Sequence, residues 1–246
     1  MIIIELIDIL FGSLSLLTVI VAFAVGIKII SKYKSVKDRN FVFVGLIWIG
    51  IYHPWWSSSL SFLMRLFSNS TVSLSLGLYF LFALGLIPFF MFVWLIAFTD
   101  MVTTKYRTPI IVLPTTITTL YEIYLVFNVI VNVSVIGEFS EASLFDVTYK
   151  GISQFYLVFI VLLILSTGIL FALQSLKADK PEIQLKGKLL LSAWILWAAG
   201  AIFDSAIPLF IPTLLMTRII LISSSFLFYL GFLLPNFVKE WFIEKQ

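Results

Sequence analysis

The sequence predicts an all-α integral membrane protein: one domain over residues 1–246, built as a seven-transmembrane-helix bundle with its N-terminus outside and its C-terminus cytoplasmic. Three observations predict it. Hydrophobic residues make up 61% of the 246, charged residues 12%, and the mean hydropathy is +1.11, more apolar surface than a soluble core can absorb. Continuous apolar stretches recur at lengths that span a bilayer, and basic residues collect on alternate connections between them.

The stretches fall near 2–30, 41–66, 72–99, 109–135, 151–176, 188–208 and 213–235. Crossing ~30 Å of hydrocarbon takes roughly twenty helical residues, and each stretch supplies them. None shows the ten-residue alternation of a membrane β-barrel. The first has no basic leader, meets Glu5 and Asp8 early and is longer than a signal core, so it reads as a helix. The sixth and seventh are separated only by Pro208 to Pro212, which predicts a tight outer hairpin.

Orientation follows from lysine and arginine. Lys28, Lys32, Lys34, Lys37 and Arg39 follow the first stretch, Lys105 and Arg107 the third, Lys177, Lys180, Lys186 and Lys188 flank the fifth-to-sixth connection, and Lys239 and Lys245 lie in the tail. Thirteen of the sixteen basic residues thus share one side, which marks it as cytoplasmic. The outer side takes Arg65, Lys150 and Arg218, with Glu138, Glu141 and Asp146 in its one sizeable loop. The net charge of +3 is topological and does not indicate nucleic acid. Membrane lipids are the expected partners. A cytoplasmic or membrane protein at the fifth-to-sixth connection, or a second copy of the chain, are further possibilities. The expected location is the cell membrane, multi-pass.

Buried polar residues are the functional candidates, since an ionised group in hydrocarbon costs several kcal/mol unless paired or hydrated. Asp204 stands in AWILWAAGAIFDSAIPLF and Arg218 in TLLMTRIILISSSFLFYLGFLLP. At 1.5 Å per residue both lie at similar depth near the outer surface, across one hairpin. They read either as a structural salt bridge or as the polar end of an outward pocket. Trp197, Gly200, Ala201, Asp204 and Pro208 share a face of the sixth helix, and Ser225 shares the Arg218 face two turns deeper. His53 sits about twelve residues into the second stretch, before Pro54, and reads as part of a kink, a ligand contact or a proton-responsive group. Glu122 lies mid-span in the fourth with Thr115, Thr118 and Thr119 on its face, which should point into the bundle. The candidate ligand-binding set is therefore Asp204, Arg218, Glu122, His53, Trp197 and Ser225.

The ending, with Asp204, Arg218 and then Tyr229 to Pro235 as YLGFLLP, resembles the seven-helix sensor modules of archaea and bacteria, some free-standing and some preceding histidine kinases. The resemblance implies a receptor-like, signal-transducing module and brings no ligand with it. The overall shape is also similar to microbial rhodopsins, but positions 219–234 hold no Schiff-base lysine, so no retinal cofactor is expected. One histidine and no cysteine cannot build a zinc hydrolase site, and a single embedded aspartate cannot form an aspartyl protease pair, so an enzyme with catalytic or metal residues is not expected.

Polar groups concentrate in the outer half, whereas the inner half carries runs such as FVFVGLIWIG. That asymmetry favours a sensor that binds a small or lipidic ligand in its outer half and signals through a cytoplasmic partner. The alternatives are a secondary transporter or proton-coupled carrier using Glu122 and Asp204, and a structural subunit of a membrane complex.

Overall fold

The computed structural model describes residues 5–68, 72–206 and 210–243. Within them the chain is predominantly helical. It begins with α1 (Leu6–Ser31), whose first turn is closed by a capping box between Glu5 and Asp8. A one-turn helix, α2 (Tyr33–Val36), ends on Lys37 in the left-handed region.

The second apolar stretch is broken. α3 (Asn40–Gly50) and α4 (Pro54–Phe67) are joined by Ile51 to His53, and the Gly50 carbonyl accepts the His53 N–H at 3.0 Å. Pro54 has no N–H to offer that carbonyl, so the helix restarts with proline in its first turn. The same cause divides the third stretch, expected as one helix over 72–99, into α5 (Leu76–Leu84) and α6 (Ile87–Met101), with Pro88 in the first turn of α6. α7 (Arg107–Val131) runs on through Pro114.

The connection between α7 and the next long helix is structured. A 3₁₀ turn (Val133–Val135) leads into β1 (Gly137–Phe139), which pairs antiparallel with β2 (Val147–Tyr149), Glu138 opposite Thr148. Then follow α8 (Gly151–Leu176), α9 (Pro181–Ala206), α10 (Ile211–Leu233) and the short α11 (Asn236–Phe242). Among the described residues six runs are long and apolar enough to cross a membrane: Leu6–Val36, Leu76–Met101, Arg107–Val131, Gly151–Leu176, Pro181–Ser205 and Ile211–Leu233. The divided pair α3 and α4 lies alongside them. The connection expected over 208–212 begins outside the described residues, as does Pro208.

The helices close a ring. α10 packs on α1 and α9, α1 on α3 and α4, α3 on α6, α4 on α5, α6 on α8, and α8 on α9; α7 lies against α5 and α6. In an apolar solvent such packing depends on close backbone approach. At the α1–α3 crossing a Cβ on Gly26 would lie 2.6 Å from the Gly45 carbonyl oxygen, and one on Gly45 equally close to that of Gly26. Either side chain would force the helices apart.

One end of the bundle carries the β-hairpin; the opposite end carries the basic connections. Toward that opposite end the centre is filled by Trp48, Trp94, Trp194 and Phe228, all fully buried. Trp48 stacks on Phe228 at 3.6 Å between ring centroids, Trp94 meets Trp194 at 5.3 Å, and the Trp94 indole donates to Thr167 Oγ1 at 2.8 Å. At the same end Asp100 joins Arg39 (2.6 Å) and Arg107 (2.8 Å), tying the start of α3 to the start of α7.

Candidate functional site

Asp204 and Arg218 are directly paired. α9 presents Asp204 in its last described turn, α10 presents Arg218 two turns in, and Arg218 Nη1 donates to Asp204 Oδ1 at 2.5 Å. Arg218 is 1% exposed and Asp204 15%. The Trp55 indole N–H donates to the other carboxylate oxygen at 2.7 Å, and the Thr217 hydroxyl reaches Oδ1 at 3.4 Å. The guanidinium carbon lies 5.2 Å from the Phe11 ring centre and 5.8 Å from that of Trp55. A cation held between aromatic faces keeps part of the stabilisation it loses on leaving water. Four helices, α1, α4, α9 and α10, thereby meet at one ion pair.

Asp204 stands at the wall of a cavity of about 670 Å³. Its lower walls are apolar: Ile47 and Gly50 of α3, Ile87, Phe90 and Met91 of α6, Ile160 and Ile164 of α8, and Trp197 and Ala201 of α9. Trp55, Ser58 and Tyr79 form the middle. Its mouth is the hairpin, which contributes Glu138, Glu141, Asp146 and Tyr149. Toward the opposite end the cavity stops at the tryptophan layer, since Trp94, Thr167 and Trp194 lie one turn beyond Met91, Ile164 and Trp197. The volume lies in the range of pockets for drug-sized molecules.

The hairpin is held over this mouth by specific bonds. Asp8 Oδ1 accepts the Ser143 hydroxyl at 2.9 Å and the Leu144 N–H at 2.8 Å. Tyr79 donates its hydroxyl to the Phe145 carbonyl at 3.0 Å and shares a 2.6 Å bond with Ser58. Phe145, fully buried, joins Phe11 and Leu214 in a small core beneath the loop. Asp146, half-buried beside it, has its pKa pushed up to about 7, first by loss of hydration and then by the negative charge of Asp204; the Val147 N–H, Arg218 and the Ser140 hydroxyl oppose the rise.

Of the remaining sequence candidates, Trp197 shares the cavity with Asp204, and Ser225, His53 and Glu122 lie elsewhere. Trp197 lines the cavity, and its indole N–H has no acceptor among the described residues. Ser225 donates to the Tyr52 hydroxyl at 2.9 Å, which in turn donates to the Leu221 carbonyl at 2.8 Å, so it joins α10 to the α3–α4 break. His53 is fully buried in that break, edge-on to Trp56 at 5.0 Å and near Phe90, with no partner for either ring nitrogen among the described residues. Glu122 is half-buried on α7 against the break in the third stretch, where its Oε1 would lie 3.3 Å from a Cβ on Gly85. Neither His53 nor Glu122 lines the cavity. Thr118 and Thr119 turn their hydroxyls back to the Thr115 carbonyl, whereas the Thr115 hydroxyl and Glu122 Oε2 are buried with no partner among the described residues.

The sequence reading does not single out Trp55 as a partner of Asp204, or Asp8 and Asp146 as parts of the site. Asp8 carried a usable signal, being an acid one turn inside an apolar helix that must find donors. Comparison with protein-family models, with curated proteins and with solved structures returned no match.

Proposed function

We propose that the chain is a receptor-like membrane sensor of seven spans, α3 and α4 together forming the second, with the hairpin outside and the basic connections in the cytoplasm. A small or lipidic ligand occupies the cavity beneath the hairpin. Its binding shifts α9 and α10 through the Asp204–Arg218–Trp55 junction, and the change is read by a protein partner at the α8–α9 connection. The observation that carries this reading is the cavity itself: open toward the hairpin, closed by packed tryptophans below, and faced by a buried Trp197 N–H with no acceptor among the described residues. A conduit needs a polar route to both surfaces, whereas a sensor needs one open side and helices that can shift. Glu122 lies outside the cavity that Asp204 lines, so no observation favours the carrier reading.

The chain has no cysteine, so single introduced cysteines take spin labels cleanly. Labels at Lys37→Cys and Lys177→Cys, compared between delipidated protein and protein given back its native lipid extract, should report a distance change. That change should vanish in Asp204→Asn and in Arg218→Gln. A change that persists in both variants rules out the junction as the transmitting element.

A further inference from the structure

The cavity's charged lining is one-sided. Glu138, Glu141, Asp146 and Asp204 line it, and no lysine, arginine or histidine does. Two of the four are neutralised from behind, Asp204 by Arg218 and Glu138 by Lys150. Glu141 and Asp146 have no ion-pair partner among the described residues. Asp146 is half-buried beside the aromatic groups Tyr79 and Tyr149. A carboxylate without an ion-pair partner at the mouth of a cavity lined in part by aromatic rings attracts a cation, and the ring faces add to the attraction.

The cavity also has a side opening. Toward the basic end α8 and α9 are tightly packed, with Gly168 against the Trp194 ring and a Cβ on Gly187 only 2.9 Å from the Ala172 carbonyl oxygen. Toward the hairpin α9 leans onto α10 instead, through Gly200 against Leu221 and through the Asp204–Arg218 pair. There Val158 and Leu162 of α8 and Ile202 of α9 line the cavity while remaining 50%, 51% and 42% exposed on the flank of the bundle. Residues that face both cavity and flank mark a gap, and its apolar rim suits an alkyl chain arriving from lipid.

We infer that the ligand is a cationic single-chain amphiphile, an amine or quaternary ammonium head seated under the hairpin against Asp146 with its tail reaching down toward Ile164. The inference rests on the outer-half pocket proposed above and names the class of molecule it takes. The head meets carboxylates and aromatic faces. The tail replaces lipid contacts with the apolar walls of α6, α8 and α9.

The test uses the full chain in nanodiscs of zwitterionic lipid, with the fluorescence of the cavity-lining Trp55 and Trp197 as the reading. Octyltrimethylammonium, octanoate and octanol share one tail and differ in head charge. The expected result is a saturable response to octyltrimethylammonium alone, weakened about tenfold or more by Asp146→Asn, as for a lost hydrogen bond or ion contact to a charged group. The Glu138→Gln/Glu141→Gln double variant, which removes charge from the same mouth without touching Asp146, should weaken binding as well and keeps the test decisive should Asp146→Asn not fold. Equal or tighter saturable binding of octanoate or octanol overturns the cationic class and leaves the pocket standing. A linear, non-saturating response to all three overturns the pocket reading too.

Discussion

Trp55 and Asp204, 149 residues apart in the chain, are joined by a 2.7 Å hydrogen bond from the indole N–H to Oδ2. The bond links the first turn of α4, just past the proline break, to the last turns of α9. Because the other oxygen of Asp204 holds Arg218, the carboxylate fixes three helices at the cavity wall.

Removing the acid should therefore be costly. Asp204→Asn leaves the Arg218 cation buried without a counter-charge, which in comparable sites destabilises by about 3 kcal/mol or more. The double change Asp204→Leu/Arg218→Met should lose less than Asp204→Asn alone. Thermal unfolding of the three proteins in one detergent checks the order.

Asp8 should control the hairpin. Asp8→Ala removes the acceptor of the Ser143 hydroxyl and the Leu144 N–H. Losing two bonds to a carboxylate, each worth about 1.5 kcal/mol or more, should raise hydrogen exchange at 140–146 at least tenfold. Exchange in α8 and α10 should stay nearly unchanged.

The hairpin should also tighten in acid. Asp146 titrates near 7 when the loop is closed and in the ordinary carboxylate range when it is open to water. A carboxyl whose pKa rises on closing favours closure fully below the open-state value, and that stabilisation is lost as pH rises through about 7. The groups facing Asp146 are Asp204, Arg218, Ser140, the Val147 amide and the phenols of Tyr79 and Tyr149, and none of these residue types ordinarily titrates near neutrality. Protection of the 140–146 amides, corrected for intrinsic exchange, should fall between pH 5 and 8, and Asp146→Asn should flatten the change.

Gly50 should tolerate no side chain. A Cβ there would enter the ring of Phe90, so Gly50→Ala must separate α3 from α6 or displace the ring. Overpacking of this kind costs about 1–3 kcal/mol, and Phe90→Leu should recover part of it. Melting temperatures of the single and double variants check the rescue.

The sequence made the ion pair legible because Asp204 and Arg218 stand alone in apolar stretches, and two such charges at one depth find each other. It also made the break at His53 legible through Pro54; Pro88 carries the same signal for the third stretch. Glu122 is expected to point into the bundle, and from α7, which packs outside the ring, it rests half-buried against the Gly85 break and away from the cavity that Asp204 lines. The hairpin escaped because its strands are three residues long, too short for alternation to stand out, and in Gly137–Phe139 both Glu138 and Phe139 are exposed. Its position over the cavity mouth depends on Asp8, 136 residues away from Leu144, a pairing that no local pattern contains.

The most direct measurement is a high-resolution density map of the protein extracted with its native lipids. A molecule lying between α6, α8 and α9, with its head beneath the hairpin near Asp146 and Trp55 and its tail ending above the Trp94–Trp194 layer, is the expected result. A cavity holding only water, with every bound lipid on the outer flanks of the bundle, would contradict the proposal that this chain senses a ligand in its outer half.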